Sequence, residues 1–270
     1  MTNRIIYYYQ TFCGLEKILY EGTPVTHLHL SSIHFNIDKN LQPCIHLNDN
    51  IPYDSCFDSV WSDLNKASKL GIKCILMIGG AGLAFQTMFS NYDIYYNMLY
   101  NLIKAKDCIV GIDLDIEEIC DINNIKKLIA DIDQDFGEDF IITMAPLQYS
   151  LTNDNAGMGG FSYKKLYNSK EGQRINYFNT QCYFDFSKRV YDEIIANNYP
   201  SNKINIGMIS GEDFNYVCKE IEKISNKYKE DFGGVFIWEY FSSPPDGPNN
   251  PSEWSKVIQK ILINNNWLII

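Results

Sequence analysis

Three acidic residues at alternate positions, Asp113, Asp115 and Glu117, are the part of the sequence best suited to chemistry. Aliphatic residues occupy the positions between them in the segment 109–118. This alternation is typical of a β-strand, whose successive side chains point to opposite faces and whose alternate residues lie about 6.5–7 Å apart. Three like charges in a row repel one another, so folding alone gives little reason to gather them. We therefore predict that these carboxylates face a pocket and carry out acid–base chemistry there.

Two other interpretations of the acidic segment remain open at this point. It could be a solvated acidic edge strand, or it could hold a hard cation such as Mg²⁺ or Ca²⁺. A shared ion requires the three side chains to converge, because the strand itself keeps successive carboxylates apart. The position of this strand in the fold decides between these interpretations, and the rest of the chain indicates a central position.

The composition limits the classes of partner. The chain has 270 residues, with 19 Tyr and 15 Phe, which is enough to build the core of one large domain, predicted here to span 1–270. The formal net charge of −10 argues against nucleic acid and against an anionic membrane surface. It suits a neutral ligand such as a sugar. The sequence gives no sign of an obligate oligomer, and we expect a monomer.

No targeting or membrane segment is evident in the sequence. No run of about 18 apolar residues is present, so no membrane span is predicted. The first twelve residues, MTNRIIYYYQTF, lack the long apolar stretch and small-residue cleavage site of a secretory signal. We expect either an intracellular protein or a chain whose leader has been removed.

The eight cysteines are expected to be buried free thiols rather than disulfides. Cys74, Cys108 and Cys182 fall in or beside predicted strands, and no CxxC motif or Cys/His cluster of zinc spacing occurs. His27 and His29 share a strand face and His34 follows, but a third ligand for them is not evident, which favours core or rim histidines. The sequence therefore predicts neither a metal site nor a cofactor.

Strand-like and helix-like segments alternate along the whole chain. The short apolar runs predicted as strands are 4–11, 25–36, 72–79, 109–117, 140–146, 177–186, 203–209 and 234–241. The predicted helices are 56–70, 92–106, 122–135, 188–197, 214–229 and 253–263, with a weaker one at 161–175 and a very short first crossover at 15–21. Such alternation indicates parallel strands joined by right-handed crossovers.

Eight strand–helix units in 270 residues predict an α/β fold of the (β/α)8 TIM-barrel class. A doubly wound open sheet is the alternative, but no GxGxxG or GxxxxGK[ST] phosphate loop follows an early strand. The glycines of the segment 79–82 are interpreted as a tight turn at the top of the barrel. Barrel active sites lie at the carboxyl ends of the strands, which is where Glu117 stands.

Five motifs in chain order resemble those of family 18 of the glycoside hydrolases, the chitinases and endo-β-N-acetylglucosaminidases. Residues 110–117 read VGIDLDIE, similar to the family's DGxDxDxE, with Val110 in place of the first acid. Residues 76–80 read LMIGG, similar to SxGG with Met77 in place of serine. The segments MAPLQY at 144–149, QCY at 181–183 and GGVFIW at 233–238 resemble the MAP, QxY and GGxxxW motifs. Only some 54 residues separate Tyr183 from Trp238, so the resemblance is to the compact, single-barrel type.

This resemblance implies a retaining, substrate-assisted mechanism, in which the substrate's own 2-acetamido group replaces a protein nucleophile. Glu117 is then the general acid, and Asp115 orients the acetamido N–H and stabilises the positive charge. Asp113 supports Asp115, with which it is expected to share a proton. Tyr183 donates a hydrogen bond to the acetamido oxygen. The other residues expected to bind the substrate are Trp238 as a hydrophobic floor, with Gln181, Met144, Tyr7 and Gly80.

The acidic strand also allows a prediction about the pKa of Glu117. A general acid must keep its proton near neutral pH, which requires a raised pKa. We expect repulsion from Asp115 and Asp113 to raise the pKa of Glu117.

Three functions remain in competition at the level of sequence. The first is a glycosidase that cleaves β-1,4-linked N-acetylglucosamine in chitin, chito-oligosaccharides or the chitobiose core of N-glycans. The second is a catalytically silent, lectin-like sugar-binding barrel; relatives of that kind usually lost the acid at the position of Glu117, which this chain keeps. The third is a metal-dependent hydrolase.

Overall fold

Parallel strands close into a barrel in residues 3–264, the part of the chain that the computed structural model describes. Each strand is a short, mostly buried run of β-branched, aromatic and aliphatic residues, as a sheet covered on both faces requires. The strands are β1 (Arg4–Tyr9), β2 (His27–Ile37), β3 (Pro43–Leu47), β4 (Lys73–Gly79), β5 (Ile109–Asp115), β6 (Ile141–Met144), β7 (Tyr177–Gln181), β8 (Ile204–Ile209) and β9 (Gly234–Trp238).

Eight of these strands form the barrel, in the order β1, β2, β4, β5, β6, β7, β8 and β9. Closure comes from β1, which pairs in parallel with β2 through Tyr8 and His29 and with β9 through Ile6 and Phe236. The prediction of a (β/α)8 barrel is confirmed. The ends of the predicted domain 1–270, residues 1–2 and 265–270, lie outside the described residues.

Helices cover the outer face of the barrel, and each buries one apolar stripe. In α4 the buried residues are Ile125, Leu128, Ile129 and Ile132, the spacing of a helix with one face on a core. The helices are α1 (Asp58–Lys69), α2 (Ala84–Ser90), α3 (Tyr92–Lys104), α4 (Ile122–Phe136), α5 (Tyr149–Thr152), α6 (Tyr163–Tyr167), α7 (Lys188–Ala196), α8 (Phe214–Tyr228) and α9 (Ser252–Asn264). None of the described helices is long and apolar enough to cross a membrane.

Several elements differ from the sequence-based expectation. Residues 15–21 form turns rather than a helix, and the weaker predicted helix 161–175 is divided into α6 and a 3₁₀ helix at Glu171–Arg174. β3 pairs antiparallel with β2 outside the barrel, in a hairpin whose short second strand contains polar residues and begins at Pro43. α2 follows β4, and its first backbone N–H groups, those of Phe85 and Gln86, are bound by the Glu118 carboxylate at 2.6 and 3.3 Å. That cap comes from another part of the chain, so the local sequence carried no signal for where the helix begins.

The core has an outer layer between strands and helices and a smaller layer inside the barrel. Aliphatic side chains dominate the outer layer. The inner layer contains Ile6, Tyr8, Met77, Tyr177 and Phe236, and Tyr183 and Trp238 pack against it from above.

The eight cysteines are all free thiols. Cys74, Cys108 and Cys182 are buried as expected, while the other five are partly or fully exposed.

Candidate active site

The acidic strand β5 runs through the wall of the barrel, and its three acids lie at increasing height. Asp113 is fully buried, Asp115 is 5% exposed at the end of the strand, and Glu117 lies two residues beyond the strand and is partly exposed. The predicted strand 109–117 is therefore two residues too long. The order from buried to exposed suits a site in which Glu117 meets the ligand and Asp113 supports the carboxylates from below.

Asp113 is held by hydrogen-bond donors from two other strands, and a histidine of a third strand lies beside it. The Tyr8 hydroxyl donates to Oδ2 at 2.6 Å, and the Thr143 hydroxyl donates to Oδ1 at 2.5 Å. His29 Nδ1 lies 3.2 Å from Oδ2, within ion-pair distance. Both carboxylate oxygens of Asp113 are thus occupied inside the barrel, which fixes the rotamer of this side chain.

Asp115 is bound by the amide of Gln181. Gln181 Nε2 donates to Asp115 Oδ1 at 3.0 Å and to the Ala145 carbonyl oxygen at 2.8 Å. Burial raises the pKa of Asp115 well above its usual range, and the charges of Glu117 and Asp113 raise it further, while the Gln181 amide acts in the opposite direction. Asp115 therefore holds a proton more readily than an exposed aspartate does.

The pKa of Glu117 is also raised, and the cause is burial, with the Gln181 amide acting in the opposite direction. The expected direction of this shift is correct. The expected cause is wrong, because the repulsion between carboxylates acts mainly on Asp115, which lies between the other two acids.

Glu118 faces away from its neighbour Glu117. One of its oxygens caps α2, and the other, Oε2, is buried with no hydrogen-bond partner in residues 3–264. The cap ties the segment that follows β5 to α2. It thereby fixes the backbone on which Glu117 is carried.

A cavity of about 330 Å³ opens above Asp115 at the carboxyl ends of the strands. Its size lies in the range of small-ligand sites, about 300–1,000 Å³. It brings together six of the residues predicted to form the site: Asp115, Glu117, Gln181, Tyr183, Trp238 and Gly80. Further lining comes from Gln10, Ser32, His34, Met77, Gly79, Ala81 and Ile209.

Two aromatic residues, Trp238 and Tyr183, line the cavity together with the acids. Trp238 packs on Tyr8, with ring centroids 5.4 Å apart, and its other surface lines the cavity. Tyr183 is partly exposed, and burial together with the carboxylates Asp115 and Glu117 raises its pKa well above the usual value. Its hydroxyl therefore keeps its proton at neutral pH and can serve as a hydrogen-bond donor.

The glycine pair after β4 lets the backbone approach Asp115 closely. Gly79 has φ +95°, and a Cβ there would lie 2.3 Å from the Asp115 carbonyl oxygen. Gly80, with φ +80°, donates its N–H to the same oxygen at 2.9 Å. Only glycine combines this backbone conformation with this proximity, so the pair forms one edge of the cavity.

The chain is similar in fold and sequence to solved glycosidases. A fungal endo-β-N-acetylglucosaminidase from glycosyl hydrolase family 18 is 30% identical and superposes with a TM-score of 0.84, over 96% of this chain and 98% of that one. This chain belongs to glycoside hydrolase family 18. The prediction of a chitinase-like glycosidase in a single barrel is confirmed at the level of the family.

Two further solved chitinases share this fold. Chitinase ChiC from Aspergillus fumigatus is 25% identical, with a TM-score of 0.80 over 96% of this chain and 99% of that one. A family 18 chitinase from Pseudoalteromonas aurantia, 15% identical, shares the fold with a TM-score of 0.72 over 96% and 100% of the two chains. Neither a scan against protein-family models nor a search of the curated proteins gives a match.

Two residues predicted to line the pocket of this family 18 barrel do not do so. Tyr7 points out of the barrel, where its hydroxyl donates to the Pro251 carbonyl oxygen at 2.7 Å and accepts from the Ser255 N–H at 3.1 Å. Tyr8, the next residue, faces the interior instead. Met144 is fully buried in the outer core layer, while its neighbour Thr143 points inward to Asp113. Each prediction was displaced by one residue, which in a strand exchanges the two faces.

The histidines of β2 are core and rim residues, as predicted. His29 is fully buried beside Asp113, and His34 lines the cavity, with its Nε2 3.1 Å from the Ser32 hydroxyl. Within the described range 3–264, no group of three or more His, Cys, Asp or Glu side chains is arranged to hold a metal ion.

Proposed function

We propose that this family 18 chain is a retaining glycosidase that cleaves β-1,4-linked N-acetylglucosamine by substrate-assisted catalysis, with Glu117 as general acid and base. The observation that carries the proposal is the position of Glu117, a carboxyl of raised pKa that lies two residues beyond Asp115 and lines the same cavity as Asp115 and Tyr183. The printed names of the related structures, an endo-β-N-acetylglucosaminidase and chitinases, support substrates of the chitin or chitobiose type.

In the first step Glu117 gives its proton to the glycosidic oxygen as the bond between that oxygen and the anomeric carbon breaks. The carbonyl oxygen of the substrate's 2-acetamido group attacks the anomeric carbon from the opposite face. The leaving sugar departs as an alcohol, and an oxazolinium ion remains. A raised pKa of Glu117 favours this step, because the carboxyl must be protonated at the working pH.

Asp115 and Tyr183 position the acetamido group. One oxygen of Asp115 is fixed by Gln181, which leaves the other to accept the acetamido N–H. The protonated hydroxyl of Tyr183 donates to the acetamido oxygen and holds it in line with the anomeric carbon. The partial negative charge near Asp115 also stabilises the positive charge that develops on the ring.

In the second step the Glu117 carboxylate takes a proton from water, and the oxygen of that water attacks the anomeric carbon. The oxazolinium ring opens, the acetamido group is restored, and the product keeps the original anomeric configuration. Trp238 provides an apolar surface under the sugar, and the Gly79–Gly80 edge leaves room beside it.

The test is hydrolysis of a fluorogenic chitotrioside by the wild type and Glu117→Gln. The matched control is Glu118→Gln, the same chemical change one residue away, in which the amide oxygen can still cap α2. We expect turnover by the wild type and by the control, and a loss of about 10³-fold or more in Glu117→Gln with oligosaccharide binding retained.

Other outcomes would contradict the proposal. Equal activity of Glu117→Gln and wild type would remove Glu117 from the acid–base role. Silence of all three proteins, with chito-oligosaccharide still raising the melting temperature, would make the chain a sugar-binding protein without catalysis. Silence without binding would leave the family assignment intact and overturn the substrate.

A further inference from the structure

A line of buried polar side chains rises through the barrel interior to the acidic strand. Its lower end is Arg4, the first residue of β1, which is only partly exposed and has no ion-pair partner in residues 3–264. The guanidinium donates to the carbonyl oxygens of Asn202 at 3.0 Å and Gly233 at 3.3 Å, and to Asn205 Oδ1 at 3.4 Å. A cation placed there without a counter-ion calls for an explanation, because a desolvated charge is costly unless something compensates it.

Three further hydrogen bonds connect Arg4 with Asp113. Asn205 Nδ2 donates to Asn179 Oδ1 at 2.9 Å, and Asn179 Nδ2 donates to the Tyr8 hydroxyl at 2.9 Å. The Tyr8 hydroxyl then donates to Asp113 Oδ2 at 2.6 Å. Both asparagines are fully buried. We call the hydrogen bonds through Arg4, Asn205, Asn179, Tyr8 and Asp113 the relay.

The direction of the relay follows from the chemistry of its two ends. A guanidinium can only donate, so Asn205 must present its oxygen to Arg4 and its NH2 group to Asn179. The single hydroxyl hydrogen of Tyr8 goes to the carboxylate, so its oxygen must accept from Asn179. Every bond in the relay therefore points the same way, and hydrogen bonds aligned in this manner polarise one another.

A second contact path joins the same two ends. The Arg4 guanidinium lies 4.2 Å from the centre of the Tyr177 ring. The Tyr177 hydroxyl is 3.4 Å from His29 Nε2, and His29 Nδ1 is 3.2 Å from Asp113 Oδ2. The titratable groups that surround Asp113 are thus Tyr8 on β1, His29 on β2, Asp115 on β5, Tyr177 on β7, and Tyr183 and Tyr163 beyond the strands.

The neighbour on β4 offers Asp113 nothing comparable. Met77 stands opposite Asp113 in the β4–β5 register, and a thioether has no hydrogen to donate. A charge on Asp113 is therefore stabilised by the donors on β1 and β6, and by groups nearer the closed end of the barrel that polarise those donors.

We propose that Arg4 is a positioning residue for the acidic strand, which acts through Asn205, Asn179 and Tyr8 to favour the charged form of the Asp113 carboxyl. The effect of this charge on catalysis rests on the proposed function, whereas the electrostatic effect of Arg4 on Asp113 does not. Substrate never contacts Arg4, which acts from the closed end of the barrel.

The test is a ¹³C NMR titration of the Asp113 carboxyl carbon, with the signal assigned by its loss in Asp113→Asn. Arg4→Met removes the charge but keeps the length of the side chain, and Asn179→Leu breaks the relay in the middle. Arg4→Lys retains a cation. Thr180→Val is the matched control, since Thr180 is a buried β7 neighbour of Asn179 whose hydroxyl has no hydrogen-bond partner in the described residues.

We expect the Asp113 carboxyl to take up its proton at a higher pH in Arg4→Met and in Asn179→Leu, by at least about half a pH unit. The double variant should shift by clearly less than the sum of the two single shifts, because both changes cut the relay, while Arg4 also contacts the path through Tyr177 and His29. Arg4→Lys and Thr180→Val should titrate close to wild type. If one variant fails to fold, the other still tests the relay.

Two results would overturn the proposal. An unchanged titration of Asp113 in both Arg4→Met and Asn179→Leu would show that the relay carries no electrostatic effect. Additive shifts in the double variant would show that the residues act independently.

If the NMR shift occurs in a protein that does not cleave chitotrioside, the relay stands and the proposed function fails, so the two proposals are separable. In an active protein, the acid limb of the pH profile should move in the same direction as the NMR titration.

Discussion

Gln181 and Asp115 are joined by a single hydrogen bond of 3.0 Å across the mouth of the barrel. The same amide nitrogen also binds the Ala145 carbonyl oxygen, so its orientation is set by two acceptors, one at the end of β5 and one directly after β6. Asp115 is thereby held in one rotamer although it sits between two other carboxylates.

The first prediction concerns this bond. Gln181→Met keeps the size of the side chain but removes the donor, so the pKa of Asp115 should rise further and its carboxyl should lose its fixed orientation. We expect kcat for chitotrioside to fall by about 10- to 100-fold, with the acid limb of the pH profile moved to higher pH. A profile of unchanged shape, merely scaled down, would argue against an effect on Asp115.

Thr143 and Thr180 allow a paired test of stability. Thr143 donates to the Asp113 carboxylate, whereas the Thr180 hydroxyl has no hydrogen-bond partner in the described residues. Thr143→Val should lower the free energy of unfolding by about 1.5–3 kcal/mol, because it leaves a buried charge short of a donor. Thr180→Val should be neutral or stabilising. Urea unfolding at pH 7 measures both, and equal losses in the two variants would contradict the assignment.

Loss of the hydroxyl should affect stability at Tyr7 and catalysis at Tyr8. Tyr7→Phe removes contacts to Pro251 and Ser255 outside the barrel, so it should cost about 1 kcal/mol of stability and leave kcat unchanged. Tyr8→Phe removes the donor to Asp113 and should lower kcat by about tenfold or more. Activity and thermal melting of the two variants, compared side by side, check this. Loss of activity in Tyr7→Phe alone would reverse the placement of the two residues.

The raised pKa of Asp115 also predicts a dependence of stability on pH. A carboxyl whose pKa is higher in the folded than in the unfolded state favours folding below the unfolded pKa, near 4, and this contribution is lost as pH rises toward the folded value. An asparagine cannot ionise, so Asp115→Asn removes this pH-dependent loss of stability. The free energy of unfolding of the variant, relative to that of wild type, should therefore increase as pH rises above about 4. Urea unfolding across pH 4–8 tests this, and a difference that is constant with pH would contradict it.

Substrates with and without N-acetyl groups test the role of the acetamido group directly. Chito-oligosaccharides that lack the N-acetyl groups, and plain β-glucosides, should not be cleaved, because no protein carboxylate replaces the acetamido oxygen in the proposed first step. Asp115→Asn should damage cleavage of the acetylated substrate. Product analysis of each substrate with wild type provides the measurement, and efficient cleavage of a β-glucoside would rule out substrate assistance.

The sequence was sufficient to predict the barrel and the line of acids, because both depend on strong local patterns. Alternation along β5 placed Asp113 and Asp115 on one face, and the motif order placed Tyr183 and Trp238 at the same end of the barrel. The acidic face needed only the period of a strand and the rule that barrel sites lie at the carboxyl ends, whereas Tyr183 and Trp238 were predicted from the resemblance to the family motifs.

The inward faces of two strands were assigned incorrectly, and only for β1 was the local pattern silent. The tyrosines at 7–9 are chemically equivalent in sequence, and only pairing with β2 and β9 sets which one faces Asp113. For β6 a signal was present, since Thr143 is the polar residue in an apolar strand and its alternation excludes Met144 from the same face. Asn205 carried a similar signal, since it is the one polar side chain of the otherwise apolar β8. In β7 the signal was weaker, because Asn179 is followed by two further polar residues, Thr180 and Gln181.

The contacts that close the barrel have a consequence for how the chain folds during synthesis. β1 needs β9 as its second neighbour, and Tyr7 needs Pro251 and Ser255, which lie 244 and 248 residues later. β2 can pair with β1 early in synthesis, but the other edge of β1 and the hydroxyl of Tyr7 stay without these partners until residues 234–255 have been translated. Contacts this distant slow folding. We infer that chaperone protection of the early strands matters more for this protein than for one whose neighbouring elements pair as they are made.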